Sequence, residues 1–186
     1  MTGCPMLDFS KNYFELFGMS AGFLVDVPEL ARRYRELQKV VHPDRFVAAG
    51  RASQRLSLQS AMLVNEAYDT LKDPLKRAQY LLRLQGVELD VQRHTLNDPA
   101  FLMQQMALRE ALAEVRGATD ARARLDALMQ EIGNMIETQV ARLAVQLEES
   151  GAEQLEAAAQ SVQKMQFLNK LHAEAEALEA DLEEAC

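Results

Sequence analysis

The sequence predicts an all-α protein made of two helical domains, and three observations lead to that class. Apolar residues return every three or four positions along its longer segments, and no stretch alternates as a half-buried strand would. Ala, Leu, Glu and Gln, all strong helix formers, crowd the second half of the chain. Helix starts and stops, above all Asp followed by Pro and isolated Gly, recur at helix-length intervals.

The first helix is short, around Tyr13 to Phe17, and Gly18 stops it. Asp26-Val27-Pro28-Glu29 supplies a cap, a proline tolerated in the first turn, and an acid three positions on, so a second helix begins there. Leu30, Tyr34, Leu37 and Val41 form its apolar stripe, with Arg32, Arg33, Arg35, Glu36 and Lys39 mostly off it. Pro43 biases His42 away from helical dihedrals, which ends this helix near Val41. A third helix is expected from about Ser53 to Leu71, with Leu58, Met62, Asn65 and Tyr68 among its inward positions. Asp73-Pro74 ends it and starts a fourth, PLKRAQYLLRLQG, closed by Gly86.

These elements place an amino-terminal domain at residues 1–86. Residues 87–97 lack periodicity and form the expected linker. Within residues 98–186, Asp98-Pro99 starts a helix that Gly117 ends, Thr119-Asp120 begins another reaching about Glu149, and Ser150-Gly151 precedes a third. Three long helices with short turns predict an antiparallel bundle. Leu178 and Leu182, four apart, favour packing over disorder near the carboxyl end.

Charge divides the chain at the same place. Residues 1–86 carry +3 and residues 87–186 carry −11, for −8 overall. An acidic second half with a pI near 5.0 argues against nucleic acid, whose binding needs clustered cations. The basic face of the second helix instead suits an acidic protein. There is no apolar run long enough for a membrane span and no signal-peptide pattern at the start, so a cytoplasmic protein is expected. Cys4 and Cys186, the only cysteines, lie near opposite chain ends, where segments tend to be mobile, which gives neither a disulfide framework nor a cysteine-rich metal site, and His42, His94 and His172 share no ligand spacing, so neither metal nor cofactor is expected.

One motif exceeds these bland readings. A basic helix runs into His42-Pro43-Asp44, and after a loop comes VNEAYDTLKDPLKRAQY. Together these resemble the J-domain of the DnaJ superfamily over roughly seventy residues. The resemblance implies an antiparallel helix pair presenting the His-Pro-Asp turn to a seventy-kilodalton-class heat-shock chaperone, whose ATP hydrolysis it stimulates. Arg32, Arg35, Lys39 and Arg45 would add a steering field. Asp44 offers a carboxylate to a partner's arginine, and Pro43 stiffens the turn. Val40 stands where many J-domains carry lysine. Tyr34, Leu37, Asn65, Ala67, Tyr68 and Leu71 also match, but as core positions.

The helix DPAFLMQQMALREALAEVRG has two apolar sides. Phe101, Leu108, Leu112 and Val115 fall within about 60° of one another and suit a bundle core. Leu102, Met103, Met106, Glu110 and Glu114 span a separate sector of about 120°, a mixture that suits docking because methionine adapts to a partner's shape. RAQYLLRLQG, FLMQQMALREAL and KMQFLNKL, in that order behind a J-domain, resemble the HscB family of iron–sulfur-assembly co-chaperones. The resemblance implies that the bundle binds an IscU-type scaffold protein through Leu102, Met103, Met106, Glu110, Glu114 and Phe167, and that the J-domain presents it to an HscA-type ATPase chaperone. Ala107 stands where some relatives carry an acid.

Three competing readings remain. A J-protein for a different client would keep every feature of the first domain. A coiled-coil oligomer lacks sustained heptads. An enzyme would need His42 and Asp44 to act as base and orienter, but across a proline they are poorly placed to bond each other, and no nucleophile accompanies them. The sequence is expected to belong to a non-enzyme.

Overall fold

The structure, a computed structural model, describes residues 8–42, 50–87, 98–149 and 151–184. These form α1 (Tyr13–Leu16), α2 (Val27–Val41), α3 (Arg51–Lys72), α4 (Pro74–Leu84), α5 (Pro99–Val115), α6 (Ala121–Gln146) and α7 (Ala152–Glu184). No strand occurs among the described residues. The all-α expectation holds. Two compact units divide within α4, Met1–Leu81 and Leu82–Cys186. Of the expected linker, residues 88–97 lie outside the described residues.

A shared device starts three of the helices. Asp26, Asp73 and Asp98 each accept the amide three residues on, from Glu29 at 3.0 Å, Lys76 at 2.9 Å and Phe101 at 3.0 Å. The proline that follows each aspartate sits where an amide has no helical partner. Asn12 and Glu15 close a reciprocal capping box on α1. Asp120 departs from this pattern: it caps α6 by backbone position only, and its carboxylate takes Arg124 Nε at 2.7 Å. Gly18 (φ 61°) and Gly86 (φ 77°) end α1 and α4 in left-handed turns, which a side chain would strain.

In the first unit, α2 and α3 pair around Leu30, Val41, Val64, Ala67 and Leu71, and Phe14, Phe17 and Phe23 complete the core. Tyr34 stacks on Tyr68 with ring centroids 4.1 Å apart, and Tyr13 stacks on Tyr80 at 4.4 Å. The inward face of α3 differs from expectation. Leu58, Met62 and Asn65 are exposed, and Tyr68 is half-buried. The buried row is Ser57, Ser60, Val64, Ala67 and Leu71, one position away on the helix wheel. Ser57, Ser60 and Ala67 are small enough to lie in the seam with α2, so size as well as hydropathy sets this face.

In the second unit, α5, α6 and α7 form a bundle of sequential antiparallel neighbours. One core layer joins Phe101, Leu108, Leu128, Ile132, Leu168 and Leu171; another joins Val115, Leu125, Ala175 and Leu178, with Leu182 packed beside it. The carboxyl end of α7 is therefore packed, as Leu178 and Leu182 predict. Lys164 Nζ reaches Asp98 at 2.7 Å and ties α7 to the start of α5. That bond, followed by the Phe101 amide, lowers the Asp98 pKa.

Candidate functional site

Two surfaces carry the functional features, one on each unit. On the first, α2 ends at Val41, and exposed His42 follows in a non-helical conformation (φ −58°, ψ 127°) that the next residue, Pro43, demands. Pro43, Asp44 and Arg45 lie outside the described residues. The polar seam leading to this end is well bonded. Tyr34 Oη donates to Asn65 Oδ1 at 3.0 Å, and Gln38 Nε2 donates to both. Asn65 is thus exposed yet bridges α2 and α3.

Arg32, Arg35 and Lys39 are exposed and fall within about 60° on α2. Their surroundings differ. Arg32 is held by Glu29 at 2.7 Å and Glu36 at 2.6 Å, and its pKa is raised, chiefly by the Glu29 bond. Glu29 also takes Arg33 Nε at 2.6 Å, and the Arg32 bond first and the Arg33 bond second pull its carboxyl down to about 2. Arg33 turns inward and donates to the carbonyls of Phe17 at 2.7 Å and Gly18 at 2.5 Å, closing the end of α1. Arg32 is therefore partly neutralised within α2 itself.

Sequence reasoning missed three buried polar side chains in this unit, Ser57, Ser60 and Arg77, two of which bond buried carbonyls. Arg77, only 5% exposed, donates to the carbonyls of Leu71 (2.7 Å) and Phe23 (2.5 Å) and lies 5.4 Å from the Phe23 ring. Burial lowers its pKa. Ser57 donates to the Val41 carbonyl at 2.6 Å. The available signal was position: Arg77 lies three and four residues before buried Tyr80 and Leu81, and Ser57 lies seven before Val64.

On the second unit, α5 divides as its periodicity predicts. Phe101, Leu108 and Val115 are buried, whereas Leu102, Met103 and Met106 are 47%, 67% and 72% exposed, flanked by exposed Glu110 and Glu114. Three large apolar side chains stand in solvent on one helix, with acids beside them, an exposed apolar patch of adaptable shape. Phe167 of α7 differs from these. It is half-buried, packs edge-on to Phe101 with centroids 5.9 Å apart, and lies under the Arg109 guanidinium at 5.4 Å. Among the described residues no three His, Cys, Asp or Glu side chains converge to hold a metal ion, and no helix is long and apolar enough to cross a membrane.

Comparison with known proteins gives these surfaces a context. Residues 12–80 match the family described as DnaJ domain, and residues 97–176 match the HSCB C-terminal oligomerisation domain. A "Co-chaperone protein HscB homolog" of Shewanella amazonensis is 43% identical over 168 residues, spanning 90% of this chain and 97% of the relative. One from Burkholderia mallei is 44% identical over 169 residues, spanning 91% and 94%. Among solved structures, chaperone HscB from Vibrio cholerae superposes with a TM-score of 0.83 at 43% identity, covering 92% of this chain and 99% of that one. The human co-chaperone protein HscB superposes with a TM-score of 0.84 at 28% identity, covering 92% and 84%. With its J-domain helices, its three-helix bundle and these relatives along nearly its full length, the chain belongs to the HscB family of J-domain co-chaperones.

Proposed function

We propose that this protein stimulates the ATPase of a specialised HscA-type heat-shock chaperone and delivers an IscU-type iron–sulfur scaffold to it. The chemistry belongs to the partner, and this chain supplies two docking surfaces. His42, Pro43 and Asp44, with Arg35, Lys39, Arg32 and Arg45 as steering charges, engage the chaperone. Leu102, Met103 and Met106 anchor the scaffold, with Glu110, Glu114 and the Phe167 rim around them. The observation that carries the reading is the α5 trio, held in solvent on a helix whose other side is fully packed. A folding role would have buried these three side chains.

Two modest sites joined by one chain raise each other's effective concentration, a gain on the order of 10² to 10⁴ when both engage. Hydrolysis then occurs while the scaffold is held beside the chaperone. The test is the steady-state ATPase of the chaperone with this protein, with and without the scaffold. Synergy between the two is expected, and Asp44→Ala should abolish stimulation while leaving scaffold binding intact. Stimulation indifferent to the scaffold would overturn the delivery role and point to another client.

A further inference from the structure

We propose that Ser57 is a positioning residue for His42. The inference rests on the chaperone-stimulating reading above and adds a residue to it. Val41 is the last residue of α2, and the carbonyls of a helix's last turn have no amide partner within the helix. Val41 is 3% exposed and Ser57 6%, so water has little access to this pair. The Ser57 hydroxyl, from the second turn of α3, donates to the Val41 carbonyl at 2.6 Å.

That bond does more than satisfy an acceptor. The Val41 carbonyl and the His42 amide share one rigid peptide plane, so fixing the oxygen fixes the direction in which the chain enters His42. A helical serine or threonine commonly turns its hydroxyl back to the carbonyl four residues earlier, as Thr138 does to Asn134. Ser57 instead bonds across to another helix, sixteen residues away in sequence. Beyond Ser60, one turn on, the inward face is apolar, Val64, Ala67 and Leu71, and alanine at 57 would fill nearly the same space. What serine adds over alanine at this position is the hold on the α2 end.

The test compares chaperone ATPase stimulation, at saturating co-chaperone, by the unaltered protein, Ser57→Ala, Ser57→Thr and His42→Gln. Ser57→Ala should remain folded by far-UV circular dichroism and bind scaffold normally, yet lose roughly fivefold in maximal stimulation, the scale of one hydrogen bond. Ser57→Thr, which keeps the hydroxyl, should recover most of it, and the His42 imidazole resonances should move in the alanine variant but not in the threonine one. Should Ser57→Ala fold poorly, Ser57→Cys, a near-isostere with a weak donor, should give intermediate stimulation. A folded Ser57→Ala or Ser57→Cys protein that stimulates like the unaltered one overturns the inference. If the unaltered protein stimulates no better than His42→Gln, the chaperone-docking reading itself fails.

Discussion

Replacing Arg77 by methionine should unfold the first unit at distinctly lower urea, and the structure sets the size of the effect. Arg77 gives two short bonds, to Leu71 O at 2.7 Å and Phe23 O at 2.5 Å, and a long one to Lys72 O at 3.4 Å. Leu71 and Lys72 close α3, so their carbonyls lack helical partners, and Phe23 lies in the segment between α1 and α2. Methionine relieves the burial of a charge, which opposes the loss. It leaves two or three buried acceptors unpaired at about 1–3 kcal/mol each. The net loss should be about 2–4 kcal/mol, a large share of the roughly 4–12 kcal/mol expected for a unit of this size. Arg77→Lys keeps the charge but not the fork, and should lose about half as much.

The chain supplies its own probe. It has no tryptophan, and its four tyrosines, Tyr13, Tyr34, Tyr68 and Tyr80, all lie in the first unit, so tyrosine fluorescence reports that unit alone. With a urea dependence of about 1–1.5 kcal/mol per molar, Arg77→Met should move the midpoint down by roughly 2 M. A shift under about 0.5 M with unchanged slope would refute the view that Arg77 clamps these carbonyls. It would mean that desolvating the guanidinium costs as much as its bonds return.

Three other predictions separate stability from docking. Met103→Asp should leave thermal stability within about 0.5 kcal/mol, because the side chain is in solvent, yet weaken scaffold binding at least tenfold by calorimetry. Phe167→Ala should impair both, costing the bundle about 2–3 kcal/mol, since its ring packs on Phe101 and carries Arg109. Glu29, whose folded pKa is about 2 against an ordinary 4.5, should stabilise the first unit fully above pH 4.5 and lose that contribution as pH falls toward 2. Glu29→Gln should therefore lower the urea midpoint at pH 6 but match the unaltered protein near pH 2, and a gap constant across that range would count against it.

Helix ends were the most legible part of the fold, because caps act locally. Asp26, Asp73 and Asp98 beside their prolines, and Gly18 and Gly86 beyond the last turns, mark boundaries that depend on few other residues. The exposed apolar side of α5 was legible for a related reason: two apolar stripes on one helix exceed what one bundle seam can bury. The α3 face was not legible, since hydropathy favours Leu58 and Met62 while the seam with α2 favours Ser57, Ser60 and Ala67 by size. Arg77 was illegible for a deeper reason. Its burial depends on carbonyls of residues 23 and 71, which only the folded chain brings together.

The two units use charge in opposite ways, and this bears on how one chain would serve the two proposed partners. On α2, Glu29 and Glu36 restrain Arg32, so the basic face of this helix is moderated by its own acids. On α5, Glu110 and Glu114 accompany exposed methionines without any cation within ion-pair reach among the described residues. A basic surface steers toward acidic partners and an acidic rim repels them, so under the proposed function the same electrostatics would also discourage exchange between the two surfaces. Raising salt should therefore slow association at both surfaces while leaving the apolar grip of Leu102, Met103 and Met106 largely intact. Stopped-flow association rates for scaffold binding should fall with ionic strength while dissociation rates stay within about twofold, and a dissociation rate that rises steeply with salt would show that charge, not the apolar trio, holds the complex.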